Sequence, residues 1–261
     1  MLGVGLNITS SAVSGVSVSR GAAAFNGHSL LLDGVGDYFD TNYSANDVFD
    51  GSFSVSVWAR PTDGRFGTQI LWGGGSSGSY IYVSIDALGR LVTIHSSNGD
   101  PAIVTSPVIF ADGTQSAWTH VVLSVVYSGA GDTTYQFYAN GSAVTTTTLL
   151  AVSSVNHAAF DSGSNNLYIG GNNSSGNLTG PFTGHIDEFS LHDGVLTASA
   201  ITAIYNSGVA IDLTQASGYY DVPHRMKLYY RFENNANDDG SAGSNGALAA
   251  DALYSTAITP P

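Results

Sequence analysis

Between Ser29 and Leu191 the chain breaks into short apolar runs, each closed within a few residues by glycine, asparagine, aspartate or proline. A sequence cut this finely leaves no span for long helices, and many short strands joined by tight turns are the pattern of a β-sandwich. Ser29 to Phe39 (SLLLDGVGDYF) reads as strand, turn, strand. Phe53 to Ala59 alternates, placing Phe53, Val55, Val57 and Ala59 on one face and Ser54, Ser56 and Trp58 on the other. Pro61 closes that strand because it brings no amide proton to the ladder. Ile70 to Gly73, Tyr80 to Ile85 and Arg90 to His95 follow, the last two separated by the turn Asp86 to Gly89. Trp118 to Tyr127 is nearly all apolar and is predicted as a central strand covered on both faces. Tyr135 to Tyr138 and Ala143 to Thr148 flank Asn140-Gly141, the strongest hairpin signal in the chain. Leu167 to Gly170, Gly184 to Leu191 and residues 228–232 complete the strands.

One short helix is predicted near residues 197–206, capped by Thr197 and stopped by Gly208. Residues 206–224 read as an irregular connector, and Asn234 to Gly246 as an ordered turn between two apolar pieces. The glycines (32), tyrosines (14) and phenylalanines (11), set against only 10% charged residues, favour strands and turns over helices. A chain of 261 residues buries roughly 75% of its unfolded surface, so one domain spanning 1–261 is expected without a metal or disulfide staple. A net charge of −13 repels a nucleic-acid backbone, which excludes direct DNA or RNA binding. The absence of cysteine removes disulfides, thiolate zinc sites and cysteine nucleophiles together. Met1 to Ser10 lacks the basic and apolar regions of a signal peptide, and no apolar run approaches the ~20 residues of a membrane helix. Synthesis in the cytoplasm without membrane insertion is the expectation.

LDGVGDYFDT, FSVSVWARP, WTHVV from Trp118, Tyr138-Ala139-Asn140-Gly141, Tyr168-Ile169-Gly170 and GHIDEFSLHDGVLTASAITAIY resemble, in that order, the laminin G-like domain of the concanavalin A-like lectin/glucanase superfamily, over residues 25–206. The resemblance implies an all-β jelly-roll of two antiparallel sheets with one small helix near its end. It also implies a structural Ca2+ or a glycan-binding rim. An aromatic strand followed by an acidic Asn/Gly turn, which opens many members, stands here at residues 228–255. That order implies a circular permutation, with segment 228–258 pairing beside the first strands of the same chain or, by exchange, of a second copy. The sandwich followed by an NSGVAIDL connector and an aromatic strand is also similar to lectin-like structural proteins of marine bacteriophage particles.

Laminarinase-type relatives carry two carboxylates on one strand, both directed into the cleft. Asp187 and Glu188 are adjacent, so on a regular strand they face opposite sides, and no second carboxylate lies two or four residues from either one on that strand. The glycosidase dyad is therefore absent. None of His28, His95, His120, His157, His185, His192 and His224 forms a short-spaced zinc signature, and the GxSxG string at residues 74–78 lies between two predicted strands, without the helix that follows a nucleophile elbow. His120 reads as a structural core histidine, and His185 and His192 as surface residues near a sheet end. Asp33, Asp37, Asp187 and Asp238 are the candidate metal ligands, with Asp187 and Asp238 expected to share one calcium site. The alternative is that such aspartates hydrogen-bond their own turns. For a glycan the candidates are Trp72, Tyr80, Tyr82 and the Asn-rich loop from Asn172 to Asn177.

The resulting expectation is a non-enzymatic virion protein, a capsid decoration or fibre-like component, whose partners are other virion proteins, copies of itself and surface glycans. The other readings are a bacterial carbohydrate-binding or adhesion module, which the missing signal peptide opposes, and a divergent glycoside hydrolase, which the missing dyad opposes.

Overall fold

The structure, a computed structural model, describes residues 26–44, 46–76, 78–97, 100–113, 115, 117–129, 132–150, 165–174, 176–221 and 223–261. Met1 to Ser10 and His157 lie outside them. Two eight-stranded antiparallel sheets organise the described residues. The first runs β10 (Ser142–Ala143), β9 (Thr133–Ala139), β8 (Thr119–Tyr127), β3 (Phe53–Pro61), β15 (Thr183–Asp193), β1 (Ser29–Asp33) and β18 (Leu253–Ser255), with β16 (Met226–Tyr230) also paired to β15. The second runs β11 (Thr147–Leu150), β7 (Asp100–Val108), β6 (Arg90–Ser97), β5 (Ser79–Ile85), β4 (Gln69–Ser76), β12 (Leu167–Ile169), β2 (Tyr38–Asp40) and β17 (Ala247–Ala249). A small hairpin joins β13 (Asn172–Ser174) to β14 (Asn177–Thr179). The fold is the all-β jelly-roll sandwich expected from the sequence.

The alternation in β3 does what its pattern dictates: Phe53, Val55, Val57 and Ala59 enter the core between the sheets, with Phe39, Trp72, Ile81, Val83, Phe189 and Tyr230. Ser54, Ser56 and Trp58 on the other face are buried as well, because a second apolar cluster covers them. It is built from Ile201 and Ile204 of helix α2 (Ala198–Tyr205) with Leu213, Tyr220 and Tyr229. Thr197 caps α2 by accepting a hydrogen bond from the Ala200 amide at 3.1 Å, and Asn206 ends it in the left-handed conformation. The Asn140-Gly141 turn has positive φ at both residues, as a type I′ hairpin requires. A side chain at Gly141 would meet the Tyr205 ring at 2.8 Å, so this turn also seats the end of the helix.

The structure departs from the sequence reading in four places. The Ser29 to Phe39 pair splits, β1 joining one sheet and β2 the other. The strand predicted over Ala143 to Thr148 likewise divides: Ala143 stays beside β9, while β11 crosses to β7. All four residues of β11 are exposed, so no buried face fixes their register in advance. A one-turn helix, Asn46–Phe49, is too short to show a helical period, yet it buries Val48 and Phe49. Finally, β15 carries a bulge between Asp187 and Ser190, with Glu188 at φ 49°. Ile186 and Phe189 both enter the core, so the two residues between them turn off the core face together instead of alternating.

One edge of β15 is shared. Thr183 to Ile186 pair with β1, and Phe189 to His192 pair with β16. β18 lies beside β1, with Ser29 opposite Ser255, and β17 lies beside β2, with Phe39 opposite Leu248.

Candidate functional site

On the outer face of the second sheet one cross-strand row reads Tyr82 (β5), Gly73 (β4), Tyr168 (β12) and Asp40 (β2). The next row over holds Tyr80 opposite Gly75. Glycine at position 73 leaves a notch between Tyr82 and Tyr168, which stand two strands, about 10 Å, apart. Asn172 occupies the space above it: a Cβ on Gly73 would lie 2.8 Å from Cβ of Tyr82 and 3.2 Å from Cβ of Asn172. Tyr80 and Tyr82 stack with ring centroids 6.0 Å apart, and Tyr38 meets Tyr168 edge to face at 5.5 Å. Asn173 Nδ2 donates to the Tyr38 hydroxyl at 2.9 Å, and Asn166 Nδ2 to Asp40 Oδ1 at 2.8 Å.

The amide oxygens of Asn172 and Asn173 are buried and accept no hydrogen bond from the described residues. A buried acceptor without a donor costs about 1–3 kcal/mol, and both of these lie on β13 near the tyrosines. Burial pushes the Tyr82 and Tyr168 hydroxyls up in pKa, and the Asp40 charge adds to the shift at Tyr168. Both therefore stay neutral donors. Flat rings beside amide oxygens form a surface on which the C–H face of a sugar can stack, its hydroxyls able to donate to the amides.

Three of the four sequence-predicted glycan residues, Tyr80, Tyr82 and Asn172, are thus neighbours. Trp72 is not one of them. It is 1% exposed and stacks on Phe49 in the core, because a register shift between Ile70 and Trp72 turns its indole inward. Asn173 lies in the predicted Asn-rich loop and joins those three neighbours, whereas Tyr38 and Tyr168 were missed, since only the pairing of β12 with β4 and β2 brings them alongside.

The predicted metal ligands separate into three places. Asp33 and Asp37 converge with Asp251, one oxygen of each lying within 4.8 Å of the others, where the β1–β2 turn meets the β17–β18 turn. Asp37 accepts from the amides of Asp33 at 3.0 Å and Asp251 at 3.1 Å, and burial with its carboxylate neighbours raises its pKa. Three carboxylates in one turn junction are a donor set that fits a hard divalent cation. Asp251 lies in the closing segment that the resemblance placed beside the first strands, which was the available signal for it. Asp238 instead accepts from the amides of Tyr229, Gly240 and Ser244, holding its own turn. Asp187 is fully buried on β15 and accepts from the Glu188 amide at 2.9 Å. The two aspartates expected to share an ion thus belong to different networks.

Glu188 accepts from the Tyr229 hydroxyl, and burial raises its pKa to about 8. Burial and the neighbouring Glu188 charge raise Asp187 well above the usual carboxylate range. At 0% and 2% exposure neither carboxyl reaches a substrate. His120 is the buried structural residue expected, at 2.8 Å from Ser56 Oγ. His185 and His192 are buried too, 8% and 1% exposed, which corrects their reading as surface residues. Both lie on the face of β15 over which the outer cluster and the chain after β18 fold, a cover that no local pattern announces.

Residues 33–202 match a family model described as the concanavalin A-like lectin/glucanases superfamily. Among curated proteins no match was found. Among solved structures, the carbohydrate-binding module CBM40 of the Ruminococcus gnavus IT-sialidase superposes with a TM-score of 0.54 at 16% identity, covering 68% of this chain and 96% of that one. That module has also been solved bound to alpha2,3 sialyllactose. A putative carbohydrate-binding protein from Bacteroides ovatus ATCC 8483 gives 0.57 at 18% identity, covering 90% of this chain and 61% of that one. The K499G mutant of NanB sialidase from Streptococcus pneumoniae gives 0.54 at 20% identity, covering 69% of this chain and 28% of that one. At these identities the likeness is one of fold.

Proposed function

The chain belongs to the concanavalin A-like lectin/glucanase superfamily, and on that premise we propose that it is a non-catalytic carbohydrate-binding module whose tyrosine and asparagine face on the second sheet holds a glycan. The observation that carries this reading is the pair of amide oxygens without a donor among the described residues, Asn172 and Asn173, set among Tyr38, Tyr80, Tyr82 and Tyr168. The carbohydrate-binding modules among its structural neighbours support it. The burial of Asp187 and Glu188 supports a role in binding over hydrolysis. In the virion setting that the phage-protein resemblance implies, such a face would hold a particle on polysaccharide.

Tyr82→Ala is expected to weaken glycan binding about tenfold, the loss of one stacking ring, with the unfolding midpoint lowered much less than for a core aromatic because Tyr82 lies partly exposed on the outer face. A glycan array followed by calorimetry on its hits measures this. Undiminished affinity in Tyr82→Ala and in Asn172→Ala would remove the site from this face. Release of reducing ends from any bound glycan would overturn the non-catalytic reading.

We also propose that Asp33, Asp37 and Asp251 hold a structural calcium ion. At a free concentration of 100 times its dissociation constant, such an ion adds about 2.7 kcal/mol, a rise of roughly 5–10 °C in Tm for a chain of this size. Thermal scans with calcium and with chelator should show that rise, and Asp37→Asn should abolish it. Identical midpoints in calcium and chelator would sink the assignment.

A further inference from the structure

A second site lies on the opposite sheet. Where β3 ends and β8 begins, a groove of about 630 Å³ is lined by Trp58, Arg60, Trp118 and Tyr205, with Ile258 and Thr259 forming part of its wall. Arg60 Nε donates to the Gln115 carbonyl at 2.9 Å, which fixes the plane of the guanidinium. Arg60 takes part in none of the ion pairs His28–Glu233, Arg90–Asp86 and Lys227–Asp193. Arg65 and Arg225 are likewise absent from these pairs, but Arg60 is the one that lines this groove, beside Trp58, Trp118 and Tyr205. Beside Arg60 the buried indole Nε1–H of Trp118 has no acceptor among the described residues, and the Trp118 ring meets His185 edge to face at 6.2 Å.

We infer that this groove binds a carboxylate-bearing sugar, the carboxylate on Arg60 and the ring against Trp118 and Tyr205. The planar guanidinium fork matches a carboxylate in two parallel hydrogen bonds. The aromatic lining takes the C–H face of a pyranose, and Trp118 Nε1–H offers a donor to a ring oxygen or hydroxyl. A neutral sugar would leave the guanidinium unmatched, and an inorganic anion would leave the rings unused. The groove is separate from the tyrosine face, so neither site requires the other.

His185 supplies an internal reporter. Its pKa is lowered by burial and then by the Arg60 charge, while Ser29 Oγ sits 2.9 Å from its Nδ1. A bound carboxylate cancels the Arg60 contribution, so the His185 pKa must rise on binding. The experiment is an NMR titration of the full chain with D-glucuronic acid and D-galacturonic acid, each against its own methyl ester. It follows the His185 imidazole and the Trp118 indole N–H. The expected result is a shift of both signals with at least one acid, at an affinity about tenfold or more above its ester, and a rise in the His185 pKa. Arg60→Gln should erase the preference for the acid, Arg60→Lys should recover only part of it, and Tyr82→Ala should leave the response intact. Equal response to acid and ester, no response to either acid at tens of millimolar, or a preference surviving in Arg60→Gln would overturn the assignment.

Discussion

Trp72→Ala should lower the unfolding free energy by about 3–5 kcal/mol, the cost of emptying a large buried aromatic site, while leaving the sugar affinity of the folded fraction unchanged. Trp72 is 1% exposed, packs against Phe49 with ring centroids 6.2 Å apart, and sits one residue before the glycine that forms the notch. Its indole therefore supports the floor of the tyrosine face from below and takes no part in its upper surface. Urea unfolding, with calorimetry on the refolded protein, separates the two effects. A loss below about 1 kcal/mol would mean that the ring is not in the core, and a large loss of affinity at full folding would return Trp72 to the site. Tyr82→Ala makes the opposite contrast: one substitution acts on stability and the other on binding.

Stability should peak in mildly acid solution and fall on both sides. Glu188 is held by burial at a pKa of about 8 against an ordinary 4.5. Its raised pKa gives stability that is fully present below pH 4.5 and is lost as pH rises to about 8, a change of the order of a few kcal/mol. Asp187, raised in the same direction, adds to the loss on the alkaline side. His120 and His192 act oppositely. Burial lowers both to about 3 from 6.5, so their contribution is present above pH 6.5 and is lost as pH falls. The two trends overlap between about pH 5 and 6.5, where the unfolding midpoint should be highest. Glu188→Gln keeps the shape and an acceptor for Tyr229 while removing the titration, so it should flatten the decline from pH 6.5 to pH 8. A profile in which Glu188→Gln and the parent fall in parallel across that range would refute the assignment.

The fold was largely legible because its signals are local. Alternation over Phe53 to Ala59, the Asn140-Gly141 turn and the Thr197 cap each depend on residues within reach of one another, and each element formed where expected. What escaped depends on pairing between distant strands. The tyrosine face needs β12 to lie between β4 and β2, so Tyr38 and Tyr168 become its members through register alone. The Asp33, Asp37 and Asp251 junction needs the closing hairpin beside the first turn. Trp72 misled for the converse reason: a register shift one residue earlier reversed its face, and an irregularity of that kind has no counterpart in a period-two pattern. The bulge at Glu188 defeated the same rule at Asp187 and Glu188.

The divided edge of β15 bears on how the chain is made. Ser29 lies opposite Ser255, 226 positions later by subtraction (255 minus 29), and at ribosomal speeds of about 5–20 residues/s that interval lasts roughly 10–45 s. For that time Leu30 and Leu32, wholly buried in the finished sheet, wait with their strand edge unpaired. Strand β15 arrives to cover one side of β1, but its own far half stays open until β16 is translated. The first sheet is therefore completed only once β18 has been made, and the nascent chain in the interval is a natural client for a chaperone that shields apolar strands.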